Sequence, residues 1–223
     1  MGKLRFQITM TLDGYVAGPN QSVANPLGEG GSRIHDWAYR LKAFREMHGD
    51  RSGGETGSND EVLRAAFENV GATIMGRNMF GGGPGPWSED PWTGWWGDNP
   101  PFHTPVFVLT RHAREPLAMQ GGTTFFFVTE GIEAALRRAR EAARGRDVML
   151  GGGASVAQRY LAAGLVDQME VHLVPLLLGG GARLFDNLAG SSPAVELIRT
   201  IAAPDVTHLE YRVTARRGRA EVG

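Results

Sequence analysis

Residues 148–155 read Val-Met-Leu-Gly-Gly-Gly-Ala-Ser. A short apolar strand, Val148 to Leu150, runs into three consecutive glycines, and helical spacing begins at Ser155. A buried strand that passes straight into a helix through glycine is a joint of α/β architecture. The arrangement recurs upstream, where Ala72–Met75 meets Gly76-Arg77-Asn78-Met79-Phe80. A chain with two such joints is constrained to a sheet whose strands point the same way, with the returning segments on its faces.

The rest of the chain supplies the remaining layers. Leu4–Thr11 alternates like a strand and ends at the turn pair Asp13-Gly14. Trp37, Leu41, Phe44 and Met47 fall at helical spacing, predicting one amphipathic helix over Arg33–His48 that Ser32 can cap. A second helix is predicted over Glu61–Asn69, capped by Asn59 or Asp60. Gly81–Pro101 has no period and is rich in Gly, Pro and Trp, a long loop. Strands are predicted at Val106–Thr110 and Thr124–Val128, then a helix at Gly131–Arg144. After the glycine joint come a helix, Ser155–Ala163, stopped by Gly164, and strands at Met169–Leu178 and Leu209–Ala215. Gly179-Gly180-Gly181 reads as a bulge or reversal, and the polar tail from Arg216 reads as frayed. The expected fold is a three-layer α/β/α domain spanning residues 1–223, its sheet mainly parallel with an antiparallel C-terminal edge.

Composition narrows the function classes. Net charge is −1 with no basic stripe, so nucleic acid is not an expected partner. Cysteine is absent, which removes disulfides, thiolate metal sites and a thiol nucleophile. The histidines (His35, His48, His103, His112, His172, His208) show neither HxxxH nor HxH spacing, so no metal site is expected. Neither GxSxG nor GxxxxGK[ST] occurs. The chain starts without a charged-then-apolar leader and has no apolar run near the ~20 residues of a membrane span, so a cytoplasmic protein is expected.

Four stretches and one set of tryptophans carry candidate chemistry. Glycines between a strand and a helix let a pyrophosphate lie against backbone N–H groups, which favours Leu150, Gly151, Gly152, Gly153, Ala154, Ser155 and Val156 as a phosphate-binding joint. It is not the dinucleotide fingerprint, because Val156 stands at the third glycine position. Gly76-Arg77 can clamp a phosphate or be a plain turn with a surface arginine. Thr110-Arg111, at a strand end, can hold a ribose 2′-phosphate. Asp13-Gly14 is either a turn or the base of a lid, and Trp87, Trp92, Trp95 and Trp96 either line a pocket or staple their loop to the body.

Taken in order, TMTLDGYVAG, IMGRNMF, VFVLTR, VMLGGGASVAQRYL and GLVDQMEVHLVPLLLGGGARLF resemble the dihydrofolate reductase superfamily. Within it they are most similar to the branch holding the C-terminal reductase domain of the riboflavin-biosynthesis deaminase-reductase. The resemblance runs from Leu4 to Val213. It implies an eight- or nine-stranded sheet, NADPH as hydride donor, a small heterocyclic substrate and a homodimer. By position it implies that Gly76, Arg77, Asn78 and Met79 cover the cofactor phosphates. Thr110 and Arg111 then meet the adenosine 2′-phosphate, Gly151–Val156 the pyrophosphate, and Thr9, Ala17 and Gly18 the nicotinamide end. Met79 stands where a threonine commonly follows the Gly-Arg pair, and no deaminase pattern accompanies the domain. Asp13 and Asp36 are the candidate proton donors, beside bound water. The expectation is an NADPH-dependent reductase acting on a pterin-, pyrimidine- or flavin-precursor-like ring; the alternative is a non-catalytic dinucleotide-binding or regulatory dimer.

Overall fold

The structure is a computed structural model that describes residues 2–89, 92–188, 190 and 193–214. The tail from Arg216 and the last residue of the predicted final strand, Ala215, lie outside the described residues. Eleven strands and six α-helices are present among the described residues. They are β1 (Leu4–Thr11), β2 (Tyr15–Ala17), α1 (Asp36–Tyr39), α2 (Lys42–Met47), α3 (Ser58–Phe67), β3 (Val70–Gly76), α4 (Arg77–Phe80), β4 (Pro105–Leu109), β5 (Leu117–Ala118) and β6 (Thr124–Val128). Then follow α5 (Ile132–Ala143), β7 (Asp147–Gly152), α6 (Ala154–Ala162), β8 (Gln168–Val174), β9 (Ala182–Arg183), β10 (Ala194–Ala203) and β11 (Val206–Thr214).

Nine strands form one sheet in the order β10-β11-β8-β1-β7-β3-β4-β6-β5. Pairings from β8 through β6 are parallel. The antiparallel C-terminal edge expected from the sequence is there, and β5 adds a second antiparallel edge against β6. This is the α/β fold of the dihydrofolate reductase type.

The strands' alternation sends two different sets of side chains to the two faces. Leu4, Phe6, Ile74, Leu150, Met169 and Val171 pack under α5 and α6, with Tyr160 wholly buried and its hydroxyl donating to the Ile132 carbonyl at 2.8 Å. The other face of β1, β8 and β11 meets α1–α3 through a smaller apolar cluster around Ile34, Trp37, Leu41, Leu63, Val174 and Val206.

Four expectations are corrected. The single helix over 33–48 is broken into a 3₁₀ turn, α1 and α2, because Leu41 is extended and bridges to Glu55. Trp37 and Leu41 still reach one core, so the helical period survives along a bent path. Ser32 lies inside that 3₁₀ turn, which starts after Gly30 rather than at a serine cap. Asn59 and Asp60 do not cap α3, which starts after Gly57; the Asp60 carboxylate accepts the Ala43 amide at 2.5 Å and pairs with Arg64. β8 stops at Val174 rather than running to Leu178, since Pro175 has no N–H to continue a ladder. β10 was not expected at all: it is a nearly fully exposed edge strand without alternation.

Candidate functional site

Parallel strands put their carboxyl ends on one rim, where ligands of open α/β sheets bind. The neighbours β1, β7, β3 and β4 end there at Thr11, Gly152, Gly76 and Leu109. The candidate segments 9–18, 76–79, 110–111 and 150–156 are thereby gathered on that rim, although they are far apart in sequence.

The centre of the rim is the β7–α6 joint. The Gly152–Gly153 peptide is cis, and Gly152 has φ +117°, a conformation that favours glycine. A Cβ on Gly153 would meet nothing within 4 Å, so the backbone is open to an approaching group there. α6 begins directly after Gly153, and no side chain hydrogen-bonds to its first N–H groups at the positive dipole end. Next door, a Cβ on Gly76 would come within 2.7 Å of the Val156 side chain, so the end of β3 and the start of α6 need this glycine to pack. Met79 lies over the joint, its thioether 3.3 Å from the Cβ position of Gly151.

Arg77 turns away from the joint. Its Nε donates to the Gly81 carbonyl at 3.0 Å, a terminal nitrogen donates to Gly82 at 3.2 Å, and the guanidinium stacks 3.1 Å from the Trp87 ring centre. The other terminal nitrogen is buried without an acceptor. Burial, then the neighbouring Arg114, pull the Arg77 pKa down from its ordinary value. Arg114 sits 4.8 Å from the same Trp87 ring and donates to the Trp92 carbonyl at 2.6 Å. Arg111 is exposed, Thr110 hydrogen-bonds within its own turn to His112, and Asn78 is exposed. Among the described residues no carboxylate forms an ion pair with Arg77, Arg111 or Arg114. Sequence reading gave no signal for Arg114, whose place depends on the aromatic loop. That loop is stapled: the indole N–H groups of Trp87, Trp92 and Trp95 donate to His112, Phe80 and Met79 carbonyls at 3.1, 2.7 and 3.0 Å.

At the other end of the rim the candidate residues are covered. Thr9 is 5% exposed, its hydroxyl accepting the Trp37 indole N–H at 3.2 Å. Ala17 ends β2 and Gly18 follows it, both buried, and a Cβ on Gly18 would overlap the Glu29 carbonyl. The Asp13 carboxylate accepts the Thr11 hydroxyl at 2.5 Å and the amides of Leu178 and Gly179 at 3.0 and 2.7 Å. The Thr11 hydroxyl foremost, with these amides, holds it below the usual carboxylate range. A carboxylate so engaged is a latch between two loops. Asp36 is exposed on the first turn of α1.

Beside Thr9 lies a buried polar row that sequence spacing did not reveal. In register across three strands stand Thr9, His172 and His208, and one row below them Gln7, Glu170 and Glu210. The two imidazoles face each other, Nδ1 to Nδ1 at 2.8 Å. Trp37 covers both at ring distances of 4.9 and 5.2 Å. Desolvation pushes both histidines below their ordinary pKa, His208 further lowering His172. Burial, reinforced by Glu210, raises Glu170 to about 7. Only the antiparallel register of β11 on β8 brings the pair together, which is why no HxH pattern announces it.

The family model of the RibD C-terminal domain matches residues 2–209. The chain belongs to the RibD C-terminal domain family. No curated protein matches it. Among solved structures, a protein assigned to riboflavin biosynthesis from Shewanella sp. PV-4 is similar at 22% identity and TM-score 0.59, over 95% of this chain and 99% of that one. RibD of Acinetobacter baumannii is similar at 17% identity and TM-score 0.56, over 96% of this chain and 58% of that one. The family domain thus spans little over half of that protein. Dihydrofolate reductase from Enterococcus faecalis, in complex with NADP(H), is similar at 13% identity and TM-score 0.50, over 95% and 96% of the two chains. Among the described residues of this family member no helix is long and apolar enough to cross a membrane.

Proposed function

We propose that the protein is an NADPH-dependent reductase of a small pyrimidine-like heterocycle. The observation that carries this reading is the rim itself: an open, uncapped strand–glycine–helix joint beside three arginines without carboxylate partners among the described residues. The residues fit a dinucleotide. Backbone N–H groups of Gly151, Gly152, Gly153, Ala154 and Ser155, with Val156 behind them, would receive the pyrophosphate at the α6 dipole end. Gly76, Arg77, Asn78 and Met79 would flank it, Met79 offering a thioether where a hydroxyl would donate. Thr110 and Arg111 would take the 2′-phosphate, with Arg77 and Arg114 adding positive potential. The nicotinamide end would lie at Thr9, Ala17 and Gly18, beneath the joined loops. When bound, the cofactor supplies a hydride; the chain supplies orientation and exclusion of water.

The engaged Asp13 favours one competing reading, a dinucleotide-binding protein without turnover, because three hydrogen bonds to its carboxylate hold the candidate acid on the loop in its ionised form, with no proton to give. A fluorescence titration with NADPH and NADH, comparing wild type with Arg111→Ala, tests the site. NADPH is expected to bind more tightly, and the variant to lose roughly ten- to a hundredfold for NADPH alone, the worth of about 1.5–3 kcal/mol for a charge-assisted contact. Equal, unaltered binding of both nucleotides would overturn the assignment. NADPH oxidation with pyrimidine-like substrates then separates enzyme from binder.

We also infer a homodimer. The free edge of β10 carries Val195, Leu197 and Ile198 at 51, 54 and 45% exposure, an apolar template for strand pairing. Sedimentation equilibrium of the full chain is expected to give twice the chain mass; a monomer would overturn this.

A further inference from the structure

The buried row beside Thr9 poses an electrostatic problem. The His172 Nε2 lies 3.1 Å from the Gln7 Oε1, and the His208 Nε2 lies 2.9 Å from the Asn59 Oδ1. An amide oxygen only accepts, so each imidazole carries its proton on Nε2 and donates outward. Both Nδ1 lone pairs then point at each other across 2.8 Å. Two facing lone pairs in a buried site are relieved by a cation between them, or by turning the Gln7 or Asn59 amide so that one imidazole donates to the other. This outward donation to an oxygen partner is also how metal-ligating histidines are held in the right tautomer.

A third donor stands close by, on the same strand as His172. Glu170, His172 and His208 bring one ligand atom each within 4.8 Å of one another. One Glu170 oxygen is buried without a hydrogen bond, its nearest ion-pair partner being Arg199 at 4.0 Å. Arg199 also serves Glu210 at 3.0 Å, so two facing carboxylates share one guanidinium. A cavity of about 10 Å³, lined by Arg5, Gln7, Met149 and Glu170 among others, adjoins the carboxylate and has room for about one water.

We propose that Glu170, His172 and His208 bind one divalent transition cation of the zinc type, with water from the adjoining cavity as a further ligand. Two imidazoles and a carboxylate are an ordinary zinc donor set, and bonds of about 2.0–2.1 Å at a tetrahedral angle require the two nitrogens to part by only about 0.5 Å. Gln7 and Asn59 are positioning residues that fix the ring orientations, and Trp37 closes the site from the rim. The site does not depend on the proposed reductase activity, and its test reads the metal alone.

The full chain, stripped with a chelator, is titrated with Zn²⁺ in competition with a chromophoric chelator, and separately with Co²⁺ followed by visible absorption. One equivalent per chain is expected, with the intense d–d bands of low-symmetry cobalt. His172→Ala and His208→Asn should each weaken zinc by at least a hundredfold. Glu170→Gln and Gln7→Leu, which keep both imidazoles, should weaken it about ten- to a hundredfold. They carry the test if a histidine variant fails to fold. Zinc uptake no greater than that of the His172→Ala/His208→Asn double variant would overturn the proposal. That result would leave a neutral hydrogen-bonded chain, with the Gln7 or Asn59 amide turned to donate. Undiminished binding in Glu170→Gln would equally overturn the three-ligand site.

Discussion

The two faces of the same strands are built on opposite rules. In β8, Met169 and Val171 point to the α5–α6 side and bury against aliphatic and aromatic neighbours, whereas Glu170 and His172 point to the α1–α3 side and bury against other polar groups. Burying apolar area stabilises by roughly 25 cal/mol per Å², while a buried polar group at best recovers its desolvation through hydrogen bonds. The first face therefore holds the fold together. The second adds the smaller apolar cluster around Trp37 and Val174, but its polar row is one that stability alone does not explain, and it adjoins the rim where the cofactor is proposed to lie.

That contrast can be broken or sharpened by measurement. The largest effect is expected on the apolar face: Leu150→Ala, at 1% exposure, should cost about 2–5 kcal/mol in denaturant unfolding. A smaller loss would mean that the face is less tightly packed than its burial implies.

The next effect has the opposite sign and depends on pH. Burial and Glu210 raise the Glu170 pKa from 4.5 to about 7 in the folded chain. Between those values the folded state holds a proton that the unfolded state has released, so stability falls as pH rises from about 4.5 to 7. Glu170→Gln, measured with chelator present, should remove that decline and stabilise the protein at pH 7 by up to about 3 kcal/mol. At pH 4 it should change little. The histidines work the other way. Both are held neutral, with folded pKa values below the unfolded 6.5, so their contribution is full above pH 6.5 and is lost as pH falls below it. A Glu170→Gln variant with an unchanged pH profile would contradict the burial of that carboxyl.

The smallest effect separates pairing from packing. His172→Leu alone should cost about 1–3 kcal/mol by stranding the His208 nitrogen, whereas His172→Leu with His208→Leu should recover most of that loss. Recovery would mark the imidazole pair as retained for something other than stability. If the double variant is as unstable as the sum of the singles, the pair is structural.

The strand–helix joints were legible because glycine and apolar runs act locally: Ala72–Met75, Val106–Thr110, Thr124–Val128 and Val148–Leu150 all lie in parallel strands or at their ends. The C-terminal strand pair was half legible. Leu209 onwards alternates, but Ala194–Ala203 has a free, exposed edge and so carries no burial pattern to read. The break at Leu41 was hidden because its side chain obeys the helical period while its backbone does not. The rim segments could be listed from sequence, yet their adjacency follows from strand order, which no local pattern encodes. His172 meeting His208 is a still longer-range fact, set by a register that one residue of slip would abolish.

The Asp13 latch has a mechanical consequence. It ties the turn after β1 to Leu178 and Gly179, while β2 pairs with β9 and a Cβ on Gly181 would overlap the Ala17 carbonyl. Two loops more than 160 residues apart in the chain thus share a carboxylate, a strand pair and a backbone contact. The two loops are tied as one unit, so amide hydrogens on 12–18 and on 176–184 should exchange in concert, and neither loop can shift without the other.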